Sequence, residues 1–218
     1  MRRCGACTGA AAGKASVMSI HALALVATLK KSPAQSSSER LAREVLDALA
    51  EHGASTEMVR VVDHDVAFGT SVDEGEGDGW PAIRERVLAA DIVVLATPIW
   101  MGQPASVAKM TLERLDAELS ETDASGRPTL YDKVALVAVV GNEDGAHRVI
   151  ADSLQALNDV GFSVPAAAGT YWVGEAMGSV DYKDLQSPPD KVASTTKTAA
   201  ANAVHLAHLL RGAAYPKP

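Results

Sequence analysis

The chain has 218 residues, 47% of them hydrophobic and 22% charged, and 20 basic against 27 acidic side chains leave a net charge of −7. That length suits one large domain, and the acidic balance disfavours nucleic acid or an anionic membrane surface as the main partner. No apolar run approaches the roughly 18 residues that a membrane span needs.

Residues 1–17, MRRCGACTGAAAGKASV, are small, basic and aperiodic. They read as a disordered tail, with Met18 as an alternative start. Cys4 and Cys7 are spaced C-x-x-C, but no strand precedes them as a redox pair requires, and a zinc site would lack two further ligands nearby. The rest of the chain has no cysteine, which suits a reducing compartment and a cytoplasmic protein. The segment GAAAGKAS departs from a phosphate-binding P-loop, because Ala15 stands where Ser or Thr would hold Mg²⁺. Ser19 and His21 interrupt the apolar region that a signal peptide would need.

Five apolar runs then read as strands: 22–28, 57–63, 91–97, 133–141 and 164–174. Most are apolar throughout rather than alternating, as in a parallel sheet buried on both faces. Helical patterns lie between and after them, at 37–53, 82–90, 104–119, 145–161 and 191–212. Leu41, Val45, Leu46 and Leu49 form one apolar stripe, and Pro104 sits where a first helical residue often is. The β-α alternation predicts an α/β fold, a doubly wound five-stranded parallel sheet of order 2-1-3-4-5. One domain spans 18–211, with a C-terminal tail at 212–218. The long Gly- and Asp-rich connections 63–79 and 174–190 are expected to be functional or mobile. Within the first, DEGEGD is too short and irregular for a calcium loop and reads as a mobile, solvated one.

In such a sheet, ligands bind outside the carboxyl ends of the strands at the switch point, which selects three loops. The first, LKKSPAQSSSER, places Ser32, Gln35, Ser36, Ser37 and Ser38 at a helix N-terminus, where free N–H groups and the dipole favour an anion. Ser36 with Glu39 also fits a capping box, so simple capping competes with phosphate binding. The second loop, PIWMGQPAS, presents Pro98, Ile99, Trp100, Met101, Gly102 and Gln103. Its tryptophan can stack on a flat ring, with main-chain groups reaching the ring edge, or can pack at a neighbouring loop or subunit interface. The third, GNEDGAH, offers Gly141 and Gly145 for close backbone approach and Asn142 as a polar edge. Glu143 and Asp144 read as first-turn helix acids, and His147 as solvated or capping. Trp80, Tyr171 and Trp172 either shape a substrate side or fill the core.

Together, TPIWMGQPASVAK, the serine-rich loop and GNEDGAH resemble the flavodoxin-like NADPH-dependent FMN reductase family over roughly residues 20–175. The T-P-x-[WY]-x-G-x-P segment carries most of the likeness. The resemblance implies FMN lying across the three loops. Ser32, Ser36, Ser37 and Ser38 would hold its phosphate, 98–103 would line the ring, and Gly141, Asn142 and Gly145 its other edge. It implies NAD(P)H as electron donor, a small acceptor such as a flavin or quinone and no catalytic side chain, and allows a homodimer or homotetramer; the cysteine cluster of iron–sulfur relatives is lacking, so no cluster and no metal are expected. The first loop departs from the usual G-S-x-R, with Lys30 and Lys31 before Ser32 and no arginine inside it. A flavodoxin-type electron carrier and a cofactor-free binding module are the alternatives, distinguished by NAD(P)H consumption and flavin content. A receiver domain is excluded by Leu29, Lys30 and Lys31 where acids are required, and a hydrolase by the missing G-x-S-x-G.

Overall fold

The structure is a computed structural model that describes residues 19–218; the C-x-x-C pair, the GAAAGKAS segment and Met18 lie outside the described residues. In chain order it runs β1 (His21–Val26), α1 (Ser37–Glu51), β2 (Ser55–Arg60), α2 (Trp80–Ala89) and β3 (Ile92–Trp100). There follow β4 (Gln103–Pro104), α3 (Ser106–Leu115), β5 (Val134–Gly141), α4 (Ala146–Asp159), β6 (Gly169–Val173) and α5 (Asp190–Gly212). The five long strands are parallel in the order β2-β1-β3-β5-β6, and β4 pairs antiparallel with the end of β3. This is the doubly wound α/β arrangement expected from the β-α alternation, with the two-residue β4 added.

Each central strand is buried on both faces, which explains its unbroken apolar sequence. Ala22, Ala24 and Val26 pack with Leu41, Leu49 and Ala200, on the side covered by α1 and α5. Leu23 and Leu25 face the other way, into a core with Ile83, Val87 and Val149 from α2 and α4. Small residues on the α1/α5 side let α5 lie close, through Ala199, Ala203 and Ala207. Trp80 is fully buried in the other core, so it fills the interior and shapes no substrate side.

Several boundaries differ from the sequence expectation. Pro98 does not end its strand: β3 continues to Trp100, with Pro98 opposite Val140. The β1 pairing stops at Val26 opposite Ala96, so beyond it β3 has β5 as its long neighbour and tolerates a residue without an N–H. Pro104 is not a first helical residue but the β4 partner of Ile99, and α3 starts at Ser106. Val61–Asp63 turn away from β2 as a 3-10 helix, and the last strand is shortened to Gly169–Val173.

The acid-rich connection after β2 is pinned rather than simply solvated. Asp78 accepts N–H bonds from Ala67, Glu74 and Trp80 and an ion pair from Arg114 at 2.7 Å. Both charged side chains are almost wholly buried, at 1% and 0% exposed. After α5 the C-terminal residues run back along the domain. Tyr215 donates its N–H to Asp132, and its hydroxyl bonds Ser163.

Candidate functional site

At the carboxyl edge of the sheet, β1 delivers Thr28, Leu29 and Lys30 into the first loop. Arg60, at the end of β2, shapes that loop from inside. It donates to the carbonyls of Lys30 and Ala34 at 3.1 and 2.9 Å and to the Glu39 carboxylate. Ser36 is the N-cap of α1, its Oγ accepting the Glu39 N–H at 3.2 Å. The Glu39 carboxylate goes to Arg60 and Arg43, away from a reciprocal capping box. Two N–H groups of the first turn, on Ser37 and Ser38, are left at the mouth of the helix, where the dipole favours an anion.

Ser32 is not with the other serines. Its N–H and hydroxyl donate to Asp63 at 2.8 and 2.5 Å, and these bonds hold the Asp63 carboxyl below the usual carboxylate range. The sequence grouped Ser32 by position along the loop, whereas the neighbouring turn after β2 supplies it with an acceptor.

The second loop is a tight hairpin. Trp100 pairs with Gln103, and Met101 and Gly102 form the two-residue turn with φ of 53° and 70°. Both N–H groups of that turn donate to Glu143, Met101 to Oε1 at 3.0 Å and Gly102 to Oε2 at 3.2 Å. Thr97, fully buried, accepts the Ala105 N–H at 3.1 Å and ties the return of the hairpin to β3. Gly145 has φ of 110°, and a Cβ there would lie 2.9 Å from the Gly102 Cα. The second and third loops therefore pack backbone to backbone. Glu143 is a bridge between them, not merely a first-turn acid.

The third loop is covered by the connection after β6. The Asn142 carbonyl accepts from Met177, and its Nδ2 donates to the Gly178 carbonyl and to Asp181. Its Oδ1 is buried without a partner among the described residues. Arg40 on α1 holds the same connection from below, donating to the carbonyls of Tyr182 at 2.9 Å and Leu185 at 2.6 Å. Lys183 donates its N–H to the Ser37 hydroxyl, and the side chains of Asp181 and Asp184 raise the pKa of its ammonium. Tyr182 is fully buried, donates to Glu44 and packs its ring 5.4 Å from Trp172. Burial, then the Glu44 carboxylate, pushes its pKa well up, so the phenol stays a neutral donor.

These parts enclose a cleft of about 550 Å³. Gln35, Ser36, Ser37 and Ser38 line one end, with Lys30 and Lys183; Pro98, Ile99 and Trp100 line another stretch, with Gly141 and Asn142 beside them. Met101 and Gln103 instead line a second cavity of about 650 Å³ against α3 and α4, which shares Leu29 and Trp100 as its wall. Gly102 and Gly145 line neither cavity and approach each other closely. Of the other candidates, Trp172 reaches the cleft, whereas Tyr171 turns to the opposite face and meets His147, hydroxyl to Nε2 at 3.1 Å. Sequence reading missed Arg40, Met177, Asp181, Tyr182 and Lys183. The unusual length of the connection 174–190 was the signal for the last four, and Arg40, inside the helical stretch 37–53, had none.

Among the described residues no helix is long and apolar enough to cross a membrane, and no His, Cys, Asp and Glu cluster could hold a metal. The family description NADPH-dependent FMN reductase matches residues 20–178. A protein named 8-demethyl-8-aminoriboflavin-5'-phosphate synthase, from Streptomyces davaonensis, is 35% identical over 91% of this chain and 81% of its own length. A Mycobacterium bovis protein named divalent metal cation transporter MntH is also 35% identical over 91% of this chain, but the chain spans only 30% of that relative. A crystal structure described as RosB with bound intermediate OHC-RP (8-demethyl-8-formylriboflavin-5'-phosphate) superposes with a TM-score of 0.80 at 34% identity, covering 90% of this chain and 82% of the other. An NADH:FMN oxidoreductase in its apo form shares the fold, with a TM-score of 0.59 at 19% identity over 91% of this chain and 92% of its own.

Proposed function

The chain belongs to the NADPH-dependent FMN reductase family, a family of flavin-linked oxidoreductases, and from that premise we propose that the cleft holds FMN and passes electrons from NAD(P)H to a small acceptor, a flavin, quinone or similar. The observation that carries this reading is the division of one cleft into a serine-lined helix N-terminus and a stretch built on Pro98, Ile99 and a half-exposed Trp100. That is the shape a ligand with a phosphate at one end and a flat ring at the other requires. A volume of about 550 Å³ falls within the range of about 300–1,000 Å³ common for cofactor sites.

The residues present fit that group. The N–H groups of Ser37 and Ser38, with Gln35 and Lys30, would hold the phosphate at the positive end of α1. Pro98, Ile99 and Trp100 would line the ring. Gly141 and Asn142, which line the same stretch, would lie along the ring edge. When bound, FMN supplies hydride acceptance and onward electron transfer. The chain's own side chains bind, orient and limit water, and no catalytic acid or base is assigned.

The test is the visible spectrum of the purified protein, followed by FMN titration and steady-state NAD(P)H consumption. Near-stoichiometric FMN with turnover supports the reading. A protein that takes up no FMN refutes it, and one that binds FMN without consuming NAD(P)H is not a reductase.

In a second reading the flavin is substrate rather than cofactor. It is favoured by the 34% identical structure whose described ligand is a flavin altered at its 8-position. Mass spectrometry of the flavin recovered after incubation separates the two, since a cofactor is released unchanged.

A further inference from the structure

We propose that Glu143 is a positioning residue that locks the Trp100 hairpin into the shape the ring stretch of the cleft needs. This deepens the FMN reading above and rests on it. The turn at Met101 and Gly102 has two consecutive residues with positive φ, 53° and 70°, the pattern of a type I′ hairpin turn. Such turns favour Asn-Gly, because Asn tolerates the left-handed region and most other side chains are strained there. Here the first position is Met101. Met101 as a whole is 88% exposed, so burial cannot hold it in that conformation.

Something else must stabilise the turn, and Glu143 is placed to do it. Its two carboxylate oxygens each take one N–H of the turn, at 3.0 and 3.2 Å. Both donors are met by one charged acceptor, the stronger class of hydrogen bond. The side chain reaches them from the third loop, whose Gly145 lacks the Cβ that would collide with Gly102. Trp100 precedes the turn directly and walls both cavities. Releasing the turn would let Trp100 leave the cleft. Glu143 also occupies the main-chain donors that the sequence assigned to the ring edge, so these N–H groups serve the ring indirectly, by fixing the hairpin.

Four full-length proteins test this: wild type, Glu143→Ala, Glu143→Gln and the double variant Met101→Asn/Glu143→Ala. Readouts are FMN affinity by fluorescence titration, kcat and KM at saturating FMN, and amide exchange of Met101 and Gly102 without FMN. Glu143→Ala should exchange both amides faster and bind FMN about tenfold more weakly, or about 1.4 kcal/mol, with kcat at saturating FMN falling much less. Glu143→Gln, which keeps the volume but replaces one acceptor by a donor, should fall between. Met101→Asn in the alanine background should recover most of the affinity, because Asn-Gly holds the turn unaided. The proposal is overturned if Glu143→Gln binds FMN as tightly as wild type, if exchange quickens without loss of affinity, or if Met101→Asn rescues nothing. If wild type itself binds no FMN, the functional reading falls. The exchange data still report whether Glu143 holds the turn.

Discussion

Replacing Asp78 by Asn tests the claim that the acid-rich connection after β2 is fixed by a buried charge pair. Burial alone would raise the Asp78 pKa, but the N–H groups of Glu74, Trp80 and Ala67 and the Arg114 guanidinium more than offset it, taking it from 3.8 to about 2. A carboxylate depressed in the folded state stabilises the fold above its unfolded pKa, and that stability is lost as pH falls through the folded value. At about 1.4 kcal/mol per pKa unit, the shift is worth roughly 2 kcal/mol, present above pH 3.8 and gone below pH 2. Asp78→Asn keeps the shape but leaves Arg114 buried opposite a neutral group, a loss of about 3–5 kcal/mol for one half of a buried pair. Urea unfolding of both proteins between pH 7 and pH 2 is the assay. The variant should be about 3–5 kcal/mol less stable at pH 7, and the deficit should narrow by roughly 2 kcal/mol between pH 4 and pH 2. A deficit under about 1 kcal/mol at pH 7, as for an exposed pair, or one that does not change with pH, refutes the reasoning.

Trp100→Ala should weaken FMN binding about 5- to 150-fold, the range set by about 1–3 kcal/mol of ring stacking. Because Trp100 is 53% exposed, thermal unfolding should barely move, and an unchanged FMN affinity would remove Trp100 from the ring site. Arg40→Met keeps the stem but removes the guanidinium from the Tyr182 and Leu185 carbonyls. It should cost about 2–4 kcal/mol and open the connection 174–189 to limited proteolysis before the rest of the domain. Gly145→Ala forces a Cβ to 2.9 Å from the Gly102 Cα at φ of 110°. A strain of about 2 kcal/mol should lower the melting temperature by about 4–8 °C.

The fold was legible because its signal is redundant. Runs such as DIVVLAT and KVALVAVVG are apolar on both faces, and only a sheet with helices on both sides buries both. The site loops were legible for a related reason, since the switch point of such a sheet is fixed by topology. Individual side chains in those loops were not. Ser32 and Ser36 lie four positions apart in one serine-rich stretch, yet one serves Asp63 and the other caps α1. That difference is set by a turn after another strand. Tyr182, Lys183 and Arg40 were invisible because they meet only when a connection far along the sequence folds back over α1.

The acidic residues make the same point about cause. In sequence, DEGEGD reads as a solvated run, and Glu143 as a helix-dipole acid. In the structure Asp63, Asp78 and Glu143 each accept from backbone N–H groups of a loop that has no sheet or helix partner for them. Loop N–H groups that no ladder or helix takes need another acceptor or water, and a carboxylate can take several at once. The net charge of −7 is therefore not only a solubility feature: part of it is the means by which irregular loops at the carboxyl edge are held in one shape. The proposed site, with a phosphate at a helix end and a ring on a hairpin, would need its separate loops in fixed relation. Asp63 and Glu143 tie neighbouring loops together by such bonds. Substitutions that neutralise them should therefore disturb the loops before they disturb the sheet.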